Sequence, residues 1–168
     1  MYFHKKKIHF ENYVKCFYNN KSPEPLIIYD NYNGEKIQTL TNDEKYCWYK
    51  LIIKKTRNGW AKIHRILGIP DCSNRNKIRR NNGYENSWVE LDGFLIFSFF
   101  PPIGEKSVPI YDKPNIKSRE IVNVNKFVYY QVIETKKLWA KVKFEFNGKV
   151  YSGWLRKEDQ CANPWTAC

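Results

Sequence analysis

The sequence predicts an all-β protein built from two tandem modules, and three observations carry this. The aliphatic residues are dominated by 16 Ile and 9 Val, against 8 Leu and 4 Ala; β-branched side chains fit a pleated sheet, whereas Ala and Leu favour helices. Three short motifs occur twice in the same order. Ile28-Tyr29-Asp30 returns as Ile110-Tyr111-Asp112, Trp60-Ala61-Lys62-Ile63 as Trp139-Ala140-Lys141-Val142, and Ser87-Trp88-Val89 as Gly153-Trp154-Leu155. Finally, Ala140, Val142, Phe144 and Phe146 alternate with Lys141, Lys143 and Glu145, the period of a half-buried strand.

The offsets between the motif copies are 82, 79 and 66 residues. The first two nearly agree. The third falls short because the first copy holds a longer loop, visible as the Asn- and Arg-rich stretch from Asp71 to Asn86. Its predicted state is a solvated loop. Pro101-Pro102-Ile103-Gly104 marks the junction between the copies, since consecutive prolines stop strands and stiffen a linker. The expected organisation is an N-terminal extension over 1–22, a first module over 23–100, and a second over 101–168. In the extension, Phe10, Tyr13, Val14 and Phe17 fall at the spacing of a short amphipathic helix. Ile8 and Phe10 equally permit a strand.

Within the second module, Asn147-Gly148 is a strong hairpin signal, because both residues tolerate positive φ. A two-residue loop pairs Phe146 with Lys149, Phe144 with Tyr151, Lys141 with Trp154 and Ala140 with Leu155. That register sends Ala140, Val142, Phe144 and Leu155 to the core. It sends Trp139, Lys141, Lys143, Trp154 and Arg156 to the opposite face. In the first module, Trp60, Lys62 and His64 share a face opposite Ala61 and Ile63.

These motifs resemble the bacterial SH3 (SH3b) family: an early Ile-Tyr-Asp strand and turn, then Trp-Ala-Lys-Val/Ile, then Gly-Trp-Leu. The resemblance covers about Leu26 to Trp88 and about Val108 to Arg156. The second copy is the better match; the first has Ser87 where the late Gly stands. The resemblance implies two SH3-like small β-barrels. It also implies a ligand groove in each, lined by Tyr29, Trp60 and Trp88 and by Tyr111, Trp139 and Trp154, with Lys141 beside the second. Ile28-Tyr29-Asp30-Asn31-Tyr32 is similar to the first strand of eukaryotic SH3 domains, which bind proline-rich peptides. Their paired tryptophan is missing, since Trp60 and Trp139 are each followed by Ala.

SH3b modules commonly accompany cell-wall hydrolases, so the resemblance implies binding of cell-wall glycan, wall peptide or a protein partner. Flat aromatic faces stack on sugars and peptide planes, and neighbouring cations attract anionic polymers. The competing reading is that these aromatics seal the interface between modules. Nucleic-acid or other polyanion binding is the alternative function, because net charge +12 and 17% aromatic residues suit stacking with phosphate neutralisation. Arg75, Lys77, Arg79 and Arg80 would then reach the backbone. The charge is diffuse, however, at +3 over residues 1–20, +4 over 21–100 and +5 over 101–168. A protein scaffold or inhibitor is a third alternative.

Catalysis is not expected. Cys47 and His64 are the sole candidates for a nucleophilic pair within the modules, and a packed cysteine is the commoner outcome. No phosphate-binding loop, hydrolase elbow or zinc signature occurs, so no cofactor and no metal site are expected. Cys161 and Cys168 bracket a short loop with Asn163-Pro164, and a disulfide there fits an oxidising compartment. The longest apolar stretch, Phe94 to Phe100, is broken by Ser98 and is too short to span a bilayer. Lys5-Lys6-Lys7 is followed by no apolar signal region. The expected location is the envelope or outside the cell if an upstream signal was trimmed, and the cytoplasm otherwise.

Overall fold

The computed structural model describes residues 12–18, 24–41, 47–70, 72–98 and 107–163. Among the described residues, thirteen strands join in one hydrogen-bonded sheet. The first part of the chain supplies β1 (Val14–Tyr18), β2 (Leu26–Tyr29), β3 (Lys36–Leu40), β4 (Cys47–Arg57) and β5 (Trp60–Pro70). A short helix, α1 (Arg75–Arg80), precedes β6 (Trp88–Glu90) and β7 (Phe94–Ser98). Then come β8 (Val108–Tyr111), β9 (Glu120–Val124), β10 (Tyr129–Lys136), β11 (Trp139–Phe146), β12 (Lys149–Leu155) and β13 (Gln160–Cys161). The all-β class is what the chain adopts.

The spatial order is β3-β2-β6-β5-β4-β1-β7-β10-β11-β12-β8-β9, with β13 added to β7. Read from each end, the two outer runs match strand for strand: β2 to β6 are laid out as β8 to β12 are. The registers agree as well. Leu26 faces Leu40 as Val108 faces Val124, and both pairs of strands slip just before the motif tyrosine, at Ile28/Tyr29 and at Ile110/Tyr111. Tyr29 pairs with Trp88, and Tyr111 with Trp154. The two runs are not separate sheets, as two free-standing barrels would be. β1 and β7 bridge β4 to β10 and make the hydrogen bonding continuous.

β1 lies in the expected N-terminal extension, yet it is a central strand. The helical reading of Tyr13, Val14 and Phe17 is therefore corrected. A strand buried on both faces is apolar at nearly every position, which imitates helical spacing. Val14, Cys16 and Tyr18 enter the main core, while Phe17 turns the other way onto Phe97, Cys161, Trp48 and Leu95. Phe10, Ile8 and the 101–104 junction lie outside the described residues.

Tight turns fix the hairpins. Asn147 and Gly148 take φ of 51° and 74°, and β11 and β12 pair in the register that a two-residue loop dictates, Phe146 with Lys149 through Ala140 with Leu155. Asn58 and Gly59 do the same between β4 and β5, with φ of 47° and 78°, closing on Arg57 and Trp60. The main core takes its residues from both runs, among them Ile28, Leu51, Ile63, Val89, Ile110, Tyr130, Val142 and Leu155.

The stretch expected as a solvated loop is instead anchored. Cys72 is disulfide-bonded to Cys47, Ile78 and Tyr84 are buried, and Asn74 Nδ2 donates to Tyr49 Oη at 3.0 Å. Gly68 makes room for the bridge, since a Cβ there would stand 3.1 Å from Cys72 Cβ. Among the described residues, no helix is long and apolar enough to cross a membrane.

Candidate aromatic grooves

Each run of strands gathers the aromatic residues of its three motifs at one place. In the first, β2 carries Tyr29, β5 opens with Trp60, and β6 opens with Trp88. The Tyr29 and Trp60 rings meet edge to face at 4.8 Å. Tyr32, in the turn after β2, touches Trp60 at 5.8 Å and Trp88 at 5.7 Å, both edge to face. Such T-shaped contacts set the ring positions, because positive edges meet negative faces. Arg57 lies over the Tyr32 ring at 4.3 Å and Lys55 over Trp88 at 5.8 Å. Asn58 Nδ2 donates to Tyr32 Oη at 3.3 Å.

Tyr29 donates its hydroxyl to Glu90 Oε1 at 3.2 Å. Burial pushes its phenol pKa up, and the Glu90 charge and hydrogen bond push it further the same way. Tyr29 thus stays a neutral donor at physiological pH.

The second groove keeps the plan with fewer rings. Tyr111 and Trp139 meet edge to face at 5.6 Å. Trp154 lies beside Tyr111 across β8 and β12, and Lys141 covers its ring at 5.9 Å. Lys141 also approaches Glu134 Oε2 at 3.8 Å. The residue matching Tyr32 is Pro114, so this groove lacks the fourth ring and the arginine stacked on it.

The hairpin register places Trp139, Lys141 and Trp154 on the face opposite the core, and all seven expected groove residues fall into the two clusters. Their depths differ. Trp88 and Trp154 are only 5% and 7% exposed and Tyr111 is 5% exposed, so these three are floors, with the two tryptophans beneath Lys55 and Lys141. Tyr29, Tyr32, Trp60, Trp139 and Lys141 are half-buried walls. Tyr32, Lys55 and Arg57 belong to the first groove and were not singled out from sequence as groove residues. Tyr32 had a signal in the Tyr29-Asp30-Asn31-Tyr32 spacing. Arg57 becomes visible only after Asn58-Gly59 is read as a turn that sets Arg57 against Trp60. Among the described residues, the ring contacts of each cluster run within its own strand set rather than across a seam between sets.

Other candidates fare differently. Cys47 is no nucleophile, because its sulfur is bonded to Cys72. His64 stacks on Tyr13 at 4.4 Å and lies 3.7 Å from Glu85. The free thiol of Cys16 is fully buried, and burial pushes its pKa far up. Cys161 is buried, while Cys168 lies outside the described residues.

No family model matches the chain, and no curated protein does. Among solved structures it is similar to NlpC2 and NlpC1 from Trichomonas vaginalis, at 15% and 14% identity and TM-scores of 0.34 and 0.33. The matches cover 88% of this chain but 47% and 46% of those proteins, so the chain spans about half their length. One expectation is corrected here. NlpC/P60 proteins are a peptidoglycan hydrolase family, and with such neighbours the assignment of the chain as a non-enzyme is withdrawn.

Proposed function

We propose that the chain is a binding protein on a tandem SH3b-like repeat, holding a cell-wall glycan or wall-peptide ligand in its aromatic grooves. The observation that carries this reading is the repeated construction. Tyr29 on Trp88 and Tyr111 on Trp154 occupy the same register, each with a half-buried tryptophan, Trp60 or Trp139, standing edge-on to the tyrosine. A ring fixed edge-on leaves a flat face for a sugar or peptide plane. Arg57, Lys55 and Lys141 supply positive charge beside those faces for anionic wall polymers. The Cys47–Cys72 bridge fits an envelope or secreted location, and a Cys161–Cys168 bridge belongs to the same reading.

The test is co-sedimentation with insoluble peptidoglycan of several types, with released soluble fragments measured in the supernatant. Trp60→Ala combined with Trp139→Ala is expected to abolish sedimentation while leaving the circular dichroism spectrum intact. No sedimentation by the unmodified protein on any wall type would overturn the reading, as would full sedimentation by the folded double variant.

A further inference from the structure

The two grooves share a plan of rings but not of charges. On β4 and β5 the cross-strand pairs are Lys55 with Lys62 and Arg57 with Trp60. On β10 and β11 the matching pairs are Glu134 with Lys141 and Lys136 with Trp139. Residues directly opposite each other in a ladder share a face, so Lys55, Arg57 and Lys62 stand on one face with Trp60. An acid replaces Lys55 in the second copy. Like charges placed directly opposite are destabilising, so the Lys55–Lys62 pair gains from an anion beside it.

The contacts follow from that exchange. In the second groove Lys141 is drawn to Glu134 at 3.8 Å, and Arg156 forms an ion pair with Asp159. In the first groove, among the described residues, none of Lys55, Arg57 and Lys62 is paired with a carboxylate. Arg57 is held instead by the Tyr32 ring at 4.3 Å, and Lys55 lies over Trp88 at 5.8 Å. A ring fixes the place of a cation without cancelling its charge. A stacked guanidinium keeps N–H groups in its own plane for an incoming oxygen. Lys136, at the position of Arg57, lacks that ring, because Pro114 stands where Tyr32 does. Glu90 faces Trp60 beside the first groove, and its Oε1 accepts from the Tyr29 hydroxyl at 3.2 Å.

We propose that the grooves divide the ligand between them: the first reads its anionic oxygen groups, carboxylate or phosphodiester, through Arg57, Lys55 and Lys62, and the second stacks on its uncharged rings and planes. This inference rests on the wall-binding reading above and makes Arg57 and Lys55 its specificity-determining residues. Arg57 offers the planar fork that matches either oxygen group, and Lys55 and Lys62 add point charges beside it.

The test is sedimentation of the full chain, at fixed ionic strength, with three forms of insoluble peptidoglycan. One is untreated, one has its carboxylates amidated with carbodiimide and ammonia, and one is stripped of phosphodiester polymers with hydrofluoric acid. Affinity should fall about fivefold or more on one or both treatments, and the treatment that lowers it names the source of the charge. Arg57→Gln and Lys55→Gln should each lower affinity for the untreated wall about fivefold or more, as befits a lost charge-assisted contact. Both should leave affinity for the responsive treated wall within about twofold of the unmodified protein. Lys136→Gln removes a charge from the matching position of the other groove, and should change binding by less than about twofold. Equal affinity for all three forms would overturn this division and leave wall binding standing. Equal losses in Arg57→Gln and Lys136→Gln would overturn it in favour of diffuse charge. No sedimentation on any form would overturn the wall-binding reading itself, and this inference with it.

Discussion

Thr135 donates its backbone N–H to Thr56 Oγ1 at 2.8 Å, and the two residues stand 79 positions apart. That separation equals the offset between Trp60 and Trp139. Thr56 faces Ala61, and Thr135 faces Ala140, so equivalent positions of the two strand sets touch each other. The Thr56 hydroxyl lies 3.3 Å from the Thr135 carbonyl oxygen as well. A polar contact at this seam, with β1 and β7 bridging beside it, shows how the two sets are joined without using the groove aromatics. Thr56→Val keeps the shape and removes the acceptor, leaving a part-buried N–H unsatisfied. It should cost about 1–2 kcal/mol in urea unfolding, whereas Thr56→Ser should cost well under half of that. Equal stability of the valine variant would show that the seam does not depend on this bond.

The cysteines make a separate prediction. With Cys47–Cys72 formed and the Cys161–Cys168 bridge of the proposed reading, one thiol remains, that of Cys16. It is fully buried, and burial pushes its pKa up, so alkylating reagents should leave the folded protein unlabelled. In denaturant without reductant, mass spectrometry should find one labelled cysteine. Three labels would eliminate the C-terminal bridge, and five would eliminate both. The Cys47–Cys72 bridge closes a separation of 25 residues, so its removal should cost about 3 kcal/mol on the chain-entropy account. The loss should fall first on the attachment of α1.

Acid should weaken the fold partly through His64. Desolvation lowers its pKa; Glu85 opposes this, and Lys54 and Arg65 add to it. The folded state therefore binds the proton less readily than the unfolded chain. As pH falls below the unfolded value of about 6.5, the unfolded chain protonates first and stability declines until the folded imidazole itself titrates. His64→Phe keeps a flat ring against Tyr13 and removes the titration. Its urea midpoint should fall less between pH 7.5 and pH 5.5 than that of the unmodified protein. Parallel declines would rule His64 out as a source.

The sequence was informative wherever a local rule fixed geometry. Asn147-Gly148 dictates a two-residue turn, and every pair counted back from it is found in the sheet. The same rule at Asn58-Gly59 would have placed Arg57 against Trp60 and brought the arginine to the first groove. Where burial came from distant chain, local rules failed. β1 is buried on both faces, Val14, Cys16 and Tyr18 on one and Phe17 on the other, with Lys15 half-buried beside Phe17. The stretch after Asp71 has little apolar content of its own, and its order comes from a bridge to Cys47, 25 residues back. Depth was equally invisible, since facing away from the core did not mean exposure once Lys55, Lys141 and Tyr32 covered the rings.

That depth separates two kinds of tryptophan. Trp88→Ala and Trp154→Ala remove buried floors and should each destabilise by about 3–5 kcal/mol. Trp60→Ala and Trp139→Ala trim half-buried walls and should cost well under half as much. Urea midpoints of the four variants check this ordering, and an inverted order would mean that the walls, not the floors, support the sheet. The ordering also decides which variants can report on ligand binding without unfolding the protein.

Gly153 explains why the second copy of the late motif keeps its glycine while the first carries Ser87. A Cβ at Gly153 would lie 2.6 Å from Ile110 Cγ2, 2.9 Å from Ile121 Cδ1 and 2.9 Å from the Tyr111 carbonyl oxygen. The last of these is backbone and cannot swing aside. At Ser87 the chain is half-buried and meets β5 through its carbonyl, which accepts from the Ile63 N–H at 2.8 Å; a side chain is accommodated there. Gly153→Ala should therefore destabilise by about 2–3 kcal/mol, the range of an overpacked core position. Ser87→Gly should cost about 1 kcal/mol or less through backbone entropy. Because Trp154 follows Gly153 directly and pairs with Tyr111, the alanine should also shift the tryptophan emission of the second groove. An unchanged midpoint for Gly153→Ala would mean that β8 and β12 can separate at Tyr111 without loss, and the tight floor of that groove would then not be what fixes its shape.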